Sequence, residues 1–222
     1  MHILRLLKSI VKSNSDLYQL IDDIRSGLIS RASMVLHLGA HVGDESSFYN
    51  SLGKDVIWIE ANPAIYTQLQ LNISQYTQQR AICALLGDTN QSNIDFHVAS
   101  NDGQSSSIFQ FGSQMNHDGL SMVGVLKLKM KRLDSLLTDT EIYTGSHWIV
   151  DVQGAELQVL AGSGKLIDKV YSMQVEVSTK EEYLGGTKFE ELNQFLNSKG
   201  LYPLWLPKLN SHEDLFFLRR TH

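Results

Sequence analysis

Short apolar runs recur along this chain at intervals, and each is followed by a glycine or an acidic residue. Val35-Leu36-His37-Leu38 runs into Gly39, Val56-Ile57-Trp58-Ile59 into Glu60, and Ala81–Leu86 into Gly87-Asp88. His147-Trp148-Ile149-Val150 ends at Asp151, and Val170–Val177 carries Glu176 near its end. Continuous apolar runs of this length read as strands buried on both faces. Between them, apolar residues recur every three or four positions, the helical period. Such segments lie at 2–12 (Ile3, Leu4, Leu7, Ile10, Val11), 15–29 (Leu17, Leu20, Ile21, Ile24), 63–75 and 189–197, and a further helix opens near Gly154. Pro63 suits a first helical turn and Gly200 a helix end. Ile94–Ala99 and Val123–Met130 instead alternate apolar with polar, as half-exposed antiparallel strands do. Leu201–Leu206 and Leu215–Arg219 form a last strand pair, expected as an antiparallel hairpin at one sheet edge. Strands alternating with helices imply a three-layer α/β fold around a mainly parallel sheet.

The first two strands frame a nucleotide-binding unit. Strand, glycine turn (Gly39 to Gly43), helix and second strand ending in an acid are the parts of a βαβ site. Glycines allow close backbone approach to a ligand, and Glu60 lies the required ~20 residues on, where it can accept from both ribose hydroxyls. Ligands of such sheets bind beyond the carboxyl ends of the strands. Gly39, Glu60, Asp88, Asp151 and Glu176 are all expected on that rim. The irregular stretch 110–121 is where substrate selection is expected.

Composition narrows the class. A chain of 222 residues, 42% hydrophobic and 19% charged, suits one globular domain. A net charge of −5 with no basic cluster argues against a nucleic-acid partner. Cys83 is the sole cysteine, which rules out an intrachain disulfide; its apolar surroundings predict a buried small side chain. No apolar run approaches the roughly 18 residues of a membrane span. Arg5 and Lys8 interrupt what would be a signal-peptide core, so a cytoplasmic protein is expected.

Three segments resemble a known family: Leu38-Gly39-Ala40-His41-Val42-Gly43, Glu60-Ala61-Asn62-Pro63 and above all Asp151-Val152-Gln153-Gly154-Ala155-Glu156-Leu157. They are similar to FkbM-type methyltransferases, across about residues 34–219. The resemblance implies a Rossmann-like, seven-stranded, mainly parallel sheet, with a catalytic domain at 33–222 preceded by a helical extension at 1–32. It also implies S-adenosylmethionine (SAM) as cofactor and O-methylation of a saccharide or glycosylated metabolite. On that reading His37, Gly39, Ala40, His41, Gly43, Glu60, Ala61, Asn62, Asp88 and Asp151 surround SAM. His37 and His41 depart from the wider class, which has an acid and a glycine at those places; His41 is expected to contribute its backbone.

Transfer of a methyl group to a weakly acidic hydroxyl gains from a general base. Asp151 is the first candidate and Glu176 the second, with His117 and His147 weaker; Glu156 is expected to satisfy backbone donors. Asp151 and Glu176 have the oxygen chemistry for a divalent metal, but no metal is the default expectation. The acceptor is read as a small molecule or glycan, and a homodimer is compatible. An NAD-dependent oxidoreductase is the rival enzyme, disfavoured because the turn lacks the dinucleotide glycine pattern. A non-catalytic SAM-binding or assembly domain is the third reading.

Overall fold

The structure, a computed structural model, describes residues 14–112, 119–209 and 211–220. The expected helix at 2–12, and His117, lie outside the described residues. Helix α1 (Asn14–Arg31) leads into β1 (Val35–Leu38), α2 (Ser46–Ser51), β2 (Val56–Glu60), α3 (Pro63–Ile73) and β3 (Gln79–Cys83). There follow β4 (Leu85–Leu86), β5 (Gln91–Ala99), β6 (Met122–Lys131), α4 (Leu133–Leu136) and β7 (Ser146–Val150). The chain ends through α5 (Glu156–Ala161), a 3₁₀ turn at Gly164–Lys169, β8 (Val170–Ser178), α6 (Phe189–Ser198), β9 (Leu201–Pro203) and β10 (His212–Arg219).

Seven strands form one sheet in the order β3-β2-β1-β7-β8-β10-β9, all parallel except β10. Every residue of β1, β2 and β7 is buried, which explains their unbroken apolar character. Alternate side chains feed two cores. Leu36, Leu38, Ile57 and Ile59 pack with Trp148, Val159, Leu196 and Phe217 on one face. Val35, Val56 and Trp58 pack with Ile29, Tyr49, Leu69 and Ile73 from α1, α2 and α3 on the other.

The terminal strand pair is antiparallel and lies at one sheet edge, as expected, with β10 between β8 and the outermost β9. Leu215, Phe216 and Phe217 are fully buried and point to both faces, so β10 needs cover on each side; β9 is only three residues long and takes the edge. The run 81–86 is not one strand. It ends at Cys83 on the edge of the main sheet, then Leu85–Leu86 joins β6 and β5 in a separate three-stranded sheet. Because β3 is an edge strand, Cys83 is exposed rather than buried.

Candidate active site

The first wall of the site is the turn after β1. Gly39 adopts a φ of 82°, and a Cβ there would come within 1.7 Å of the Asp151 carbonyl oxygen. Only glycine lets the turn lie this close to the end of β7. His41, at φ 45°, turns its backbone N–H to Glu60 Oε2 at 2.9 Å. The Asn62 N–H donates to Glu60 Oε1 at 2.7 Å, so both carboxylate oxygens are anchored while the group still faces the cleft. Burial pushes the Glu60 carboxyl up, and the N–H groups of Asn62 and His41 pull it back. Asn62 itself caps α3, accepting from the Ala64 N–H at 3.1 Å ahead of Pro63.

The opposite wall is built around Gln153, held at φ 55° immediately after β7. Its amide nitrogen donates to Asp151 Oδ1 at 2.5 Å and to Glu176 Oε2 at 2.9 Å, one hydrogen for each carboxylate. The Tyr183 hydroxyl donates to Gln153 Oε1 at 2.5 Å, and the Ser107 hydroxyl to the Gln153 carbonyl at 2.6 Å. On its far side Glu176 Oε1 meets His212 Nε2 at 2.7 Å. Burial drives Asp151 well above the carboxylate range, and the neighbouring Glu176 charge drives it further. His212 is raised first by its hydrogen bond to Glu176. Glu156 accepts from the N–H groups of Gly154 and Val152 at 3.0 and 3.3 Å, and burial lifts it to about 8.

Between the walls lies a cleft of about 570 Å³, within the range of small-molecule sites. Gly39, His41, Glu60, Ala61, Asp151 and Glu176 line it, as do Gln153, His212, Asp44, Glu45 and the serines at 105 and 106. An apolar slot of Ile59, Leu85, Leu86, Phe96 and Ile108 adjoins Glu60. Five carboxylates and no lysine or arginine occur in the lining formed by the described residues. Ala40, Gly43 and Asn62 support this wall from behind rather than line it. His37 is buried beneath the turn, stacked on Trp58 with centroids 4.8 Å apart and its Nδ1 3.3 Å from the Tyr49 hydroxyl. Burial lowers its pKa, and it does not line the cleft. Asp88 is exposed, bonded to the Thr89 hydroxyl and outside the cleft. His147 lies in the sheet interior against Ser172 at 2.7 Å, with burial lowering its pKa to about 3. No group of three or more His, Cys, Asp and Glu among the described residues is placed to hold a metal ion.

Sequence reasoning missed Gln153 as a separate group and missed His212 altogether. Gln153 stands inside the Asp-Val-Gln-Gly motif, so the signal for it was present. His212 opens a strand far along the chain, in a segment with no chemical pattern of its own.

A donor bearing a ribose, an adenine-sized apolar part and a positively charged end matches this lining in chemistry. Glu60 suits the first, the slot beside it the second, and the carboxylates of Asp151 and Glu176 the third. The strand order, with one antiparallel strand inserted before the last, is that of the Rossmann-like fold found in SAM-dependent methyltransferases. The model of the methyltransferase FkbM domain matches residues 37–201, and the chain belongs to that family. A curated relative, 2-O-methyltransferase NoeI of Sinorhizobium fredii (strain NBRC 101917 / NGR234), is 24% identical over 161 residues. That match covers 68% of this chain and 66% of the relative, just under two thirds of its length. Among solved structures, magnesium protoporphyrin IX methyltransferase from Synechocystis PCC 6803 with bound SAH superposes with a TM-score of 0.51 at 10% identity. It covers 91% of this chain and 83% of its own. Aeropyrum pernix fibrillarin with natively bound SAM gives 0.50 at 11% identity, covering 90% and 74%. Both likenesses concern the fold.

Proposed function

We propose that this protein transfers the methyl group of SAM to a hydroxyl of a saccharide or glycosylated metabolite. The observation that carries the reading is the pairing of Glu60, anchored by two backbone N–H groups at the end of β2, with two carboxylates across the same cleft. The similarity to a curated 2-O-methyltransferase supports oxygen as the methyl acceptor. A lining rich in carboxylates and free of lysine and arginine among the described residues suits an uncharged acceptor better than a phosphorylated one.

When bound, SAM supplies an electrophilic methyl group on a positively charged sulfur. The protein's part is to hold the ribose through Glu60, balance that charge through the carboxylates, orient the acceptor oxygen in line and take its proton. Asp151 and Glu176, joined through Gln153, are the acid–base pair. The turn lacks the dinucleotide glycine pattern, so an NAD-dependent reaction is not favoured.

Two measurements test the reading. Isothermal titration should give a SAM complex. Incubation with methyl-labelled SAM and a panel of neutral methyl glycosides should give an alkali-stable labelled ether. Converting the pair in turn, Asp151→Asn and Glu176→Gln, should lower turnover at saturating SAM by about 10²–10⁴-fold for whichever acts as base. Absence of SAM binding, or turnover unchanged in both variants, would refute it.

A further inference from the structure

Asp151 and Glu176 do not sit in equivalent surroundings. Asp151 lines the cleft, accepts from the Gln153 amide and lies against the Glu176 carboxyl, with no basic side chain among these partners. Glu176 receives the same amide on Oε2 and the His212 imidazole on Oε1. A carboxylate has more lone pairs than these bonds use, and Glu176 lines the cleft. His212 therefore holds the carboxylate from behind and can carry a compensating positive charge. Its other ring nitrogen, Nδ1, lies 3.9 Å from Glu182 Oε1, too far for a hydrogen bond.

We propose that Glu176 is the group that receives the proton of the acceptor hydroxyl, and that His212 is the positioning residue that aims and charge-balances it. Asp151 serves with Gln153 to fix the geometry. In the step itself the acceptor O–H bond breaks and its proton passes to a Glu176 oxygen. The acceptor oxygen forms the new bond to the methyl carbon as the carbon–sulfur bond breaks, its electron pair staying on sulfur as S-adenosylhomocysteine leaves. This rests on the methyltransferase reading above; the roles of Glu176 and His212 within it are new.

The charged and titratable neighbours are few. Facing Glu176 are Asp151 beyond β7, Glu156 at the start of α5, Tyr183 and Glu182 in the segment after β8, and His212 and Asp214 on β10. Glu182 is paired with Lys180 at 3.1 Å, and Asp214 lies 3.9 Å from Arg25 and accepts from Gln174. Among these groups His212 alone contacts Glu176 with a basic nitrogen.

The test compares wild type with His212→Gln, His212→Ala and Glu176→Gln. First, proton–nitrogen NMR of the free protein follows the His212 ring, assigned by its loss in His212→Gln. Its titration midpoint should lie above 6.5 and return toward 6.5 in Glu176→Gln. Second, calorimetry should give SAM affinities within threefold for wild type and the two His212 variants. Third, methylation of the glycoside panel is followed from pH 6 to 10. Loss of His212 should move the acid limb of the rate profile to higher pH, with at least tenfold less turnover at pH 7 and recovery at pH 9. Glutamine should retain more activity than alanine because it can still donate to Glu176. A His212 ring that titrates at 6.5 and ignores Glu176→Gln overturns the proposal. So does turnover in His212→Gln that fails to recover at any pH, which would make the imidazole itself the base. Loss of SAM binding in wild type would instead strike the underlying function, while the NMR arm would still report on the pair.

Discussion

Glu60 receives two backbone hydrogen bonds before any ligand arrives, so its orientation is fixed by the turn after β1 and the cap of α3. Such prior fixing lowers the entropy lost on binding. On the proposed ribose-binding role, replacing it by alanine removes a charge-assisted contact of about 1.5–3 kcal/mol. We expect Glu60→Ala to weaken SAM binding by roughly 10- to 100-fold, as read by calorimetry on a protein of unchanged circular dichroism. An affinity within twofold of wild type would remove Glu60 from the ribose. His41 beside it is a different case, because its backbone serves Glu60 and its ring Nε2 reaches the Asp102 carbonyl at 3.1 Å. Gln153 lies within the marked motif, but its linking role emerges only in the fold. A left-handed glutamine is strained, and here four hydrogen bonds through its amide and carbonyl hold it in place.

At the scale of elements, β1 and β7 matter most, since their ends carry both walls of the cleft. They are joined along Val35–Leu38 and His147–Val150 in parallel register, and the Asp151 N–H donates to the Leu38 carbonyl at 3.0 Å. The Gly39 turn packs directly on that junction. Gly39→Ala would force a methyl group into the Asp151 carbonyl, so we expect loss of at least ~2 kcal/mol in urea unfolding together with loss of SAM binding. A variant as stable as wild type would mean that the turn can move aside. The interior of β7 also predicts an acid sensitivity. His147 is held neutral, with its folded pKa depressed from 6.5 to about 3 and no partner for Nε2. The unfolded chain therefore binds more protons below pH 6.5, and stability falls as pH drops from there toward 3. Burial of His37 acts in the same direction. His147→Gln should flatten this decline by a few kcal/mol between pH 6 and 4. An equally steep decline in the variant would assign it elsewhere.

The whole molecule is a sheet whose two cores are separate and whose carboxyl rim gathers groups from β1, β2, β7, β8 and β10. No helix of the described residues is long and apolar enough to cross a membrane. Because the site joins distant parts of the chain, a ligand bound there should stabilise the fold as a unit. SAM at about 100 times its Kd contributes ~2.7 kcal/mol, which for a chain of this size raises Tm by roughly 5–10 °C. Differential scanning fluorimetry reads this directly, and no shift would place SAM elsewhere or nowhere. The sequence by itself determined the α/β class, the order of strands and helices, the glycine turn and Glu60, because burial on both faces and tight turns impose local patterns that residues must obey. It also marked Asp151 and Glu176 as strand-end acids. Tertiary structure alone decided that Asp88 leaves the rim, since the chain crosses to a second sheet after Cys83, and that Cys83 itself lies exposed on an edge. It likewise decided where β10 runs, because the need to bury Phe216 and Phe217 on opposite faces is met only by a place between two strands. That insertion brings His212 against Glu176, a contact between residues far apart in sequence that no local pattern encodes.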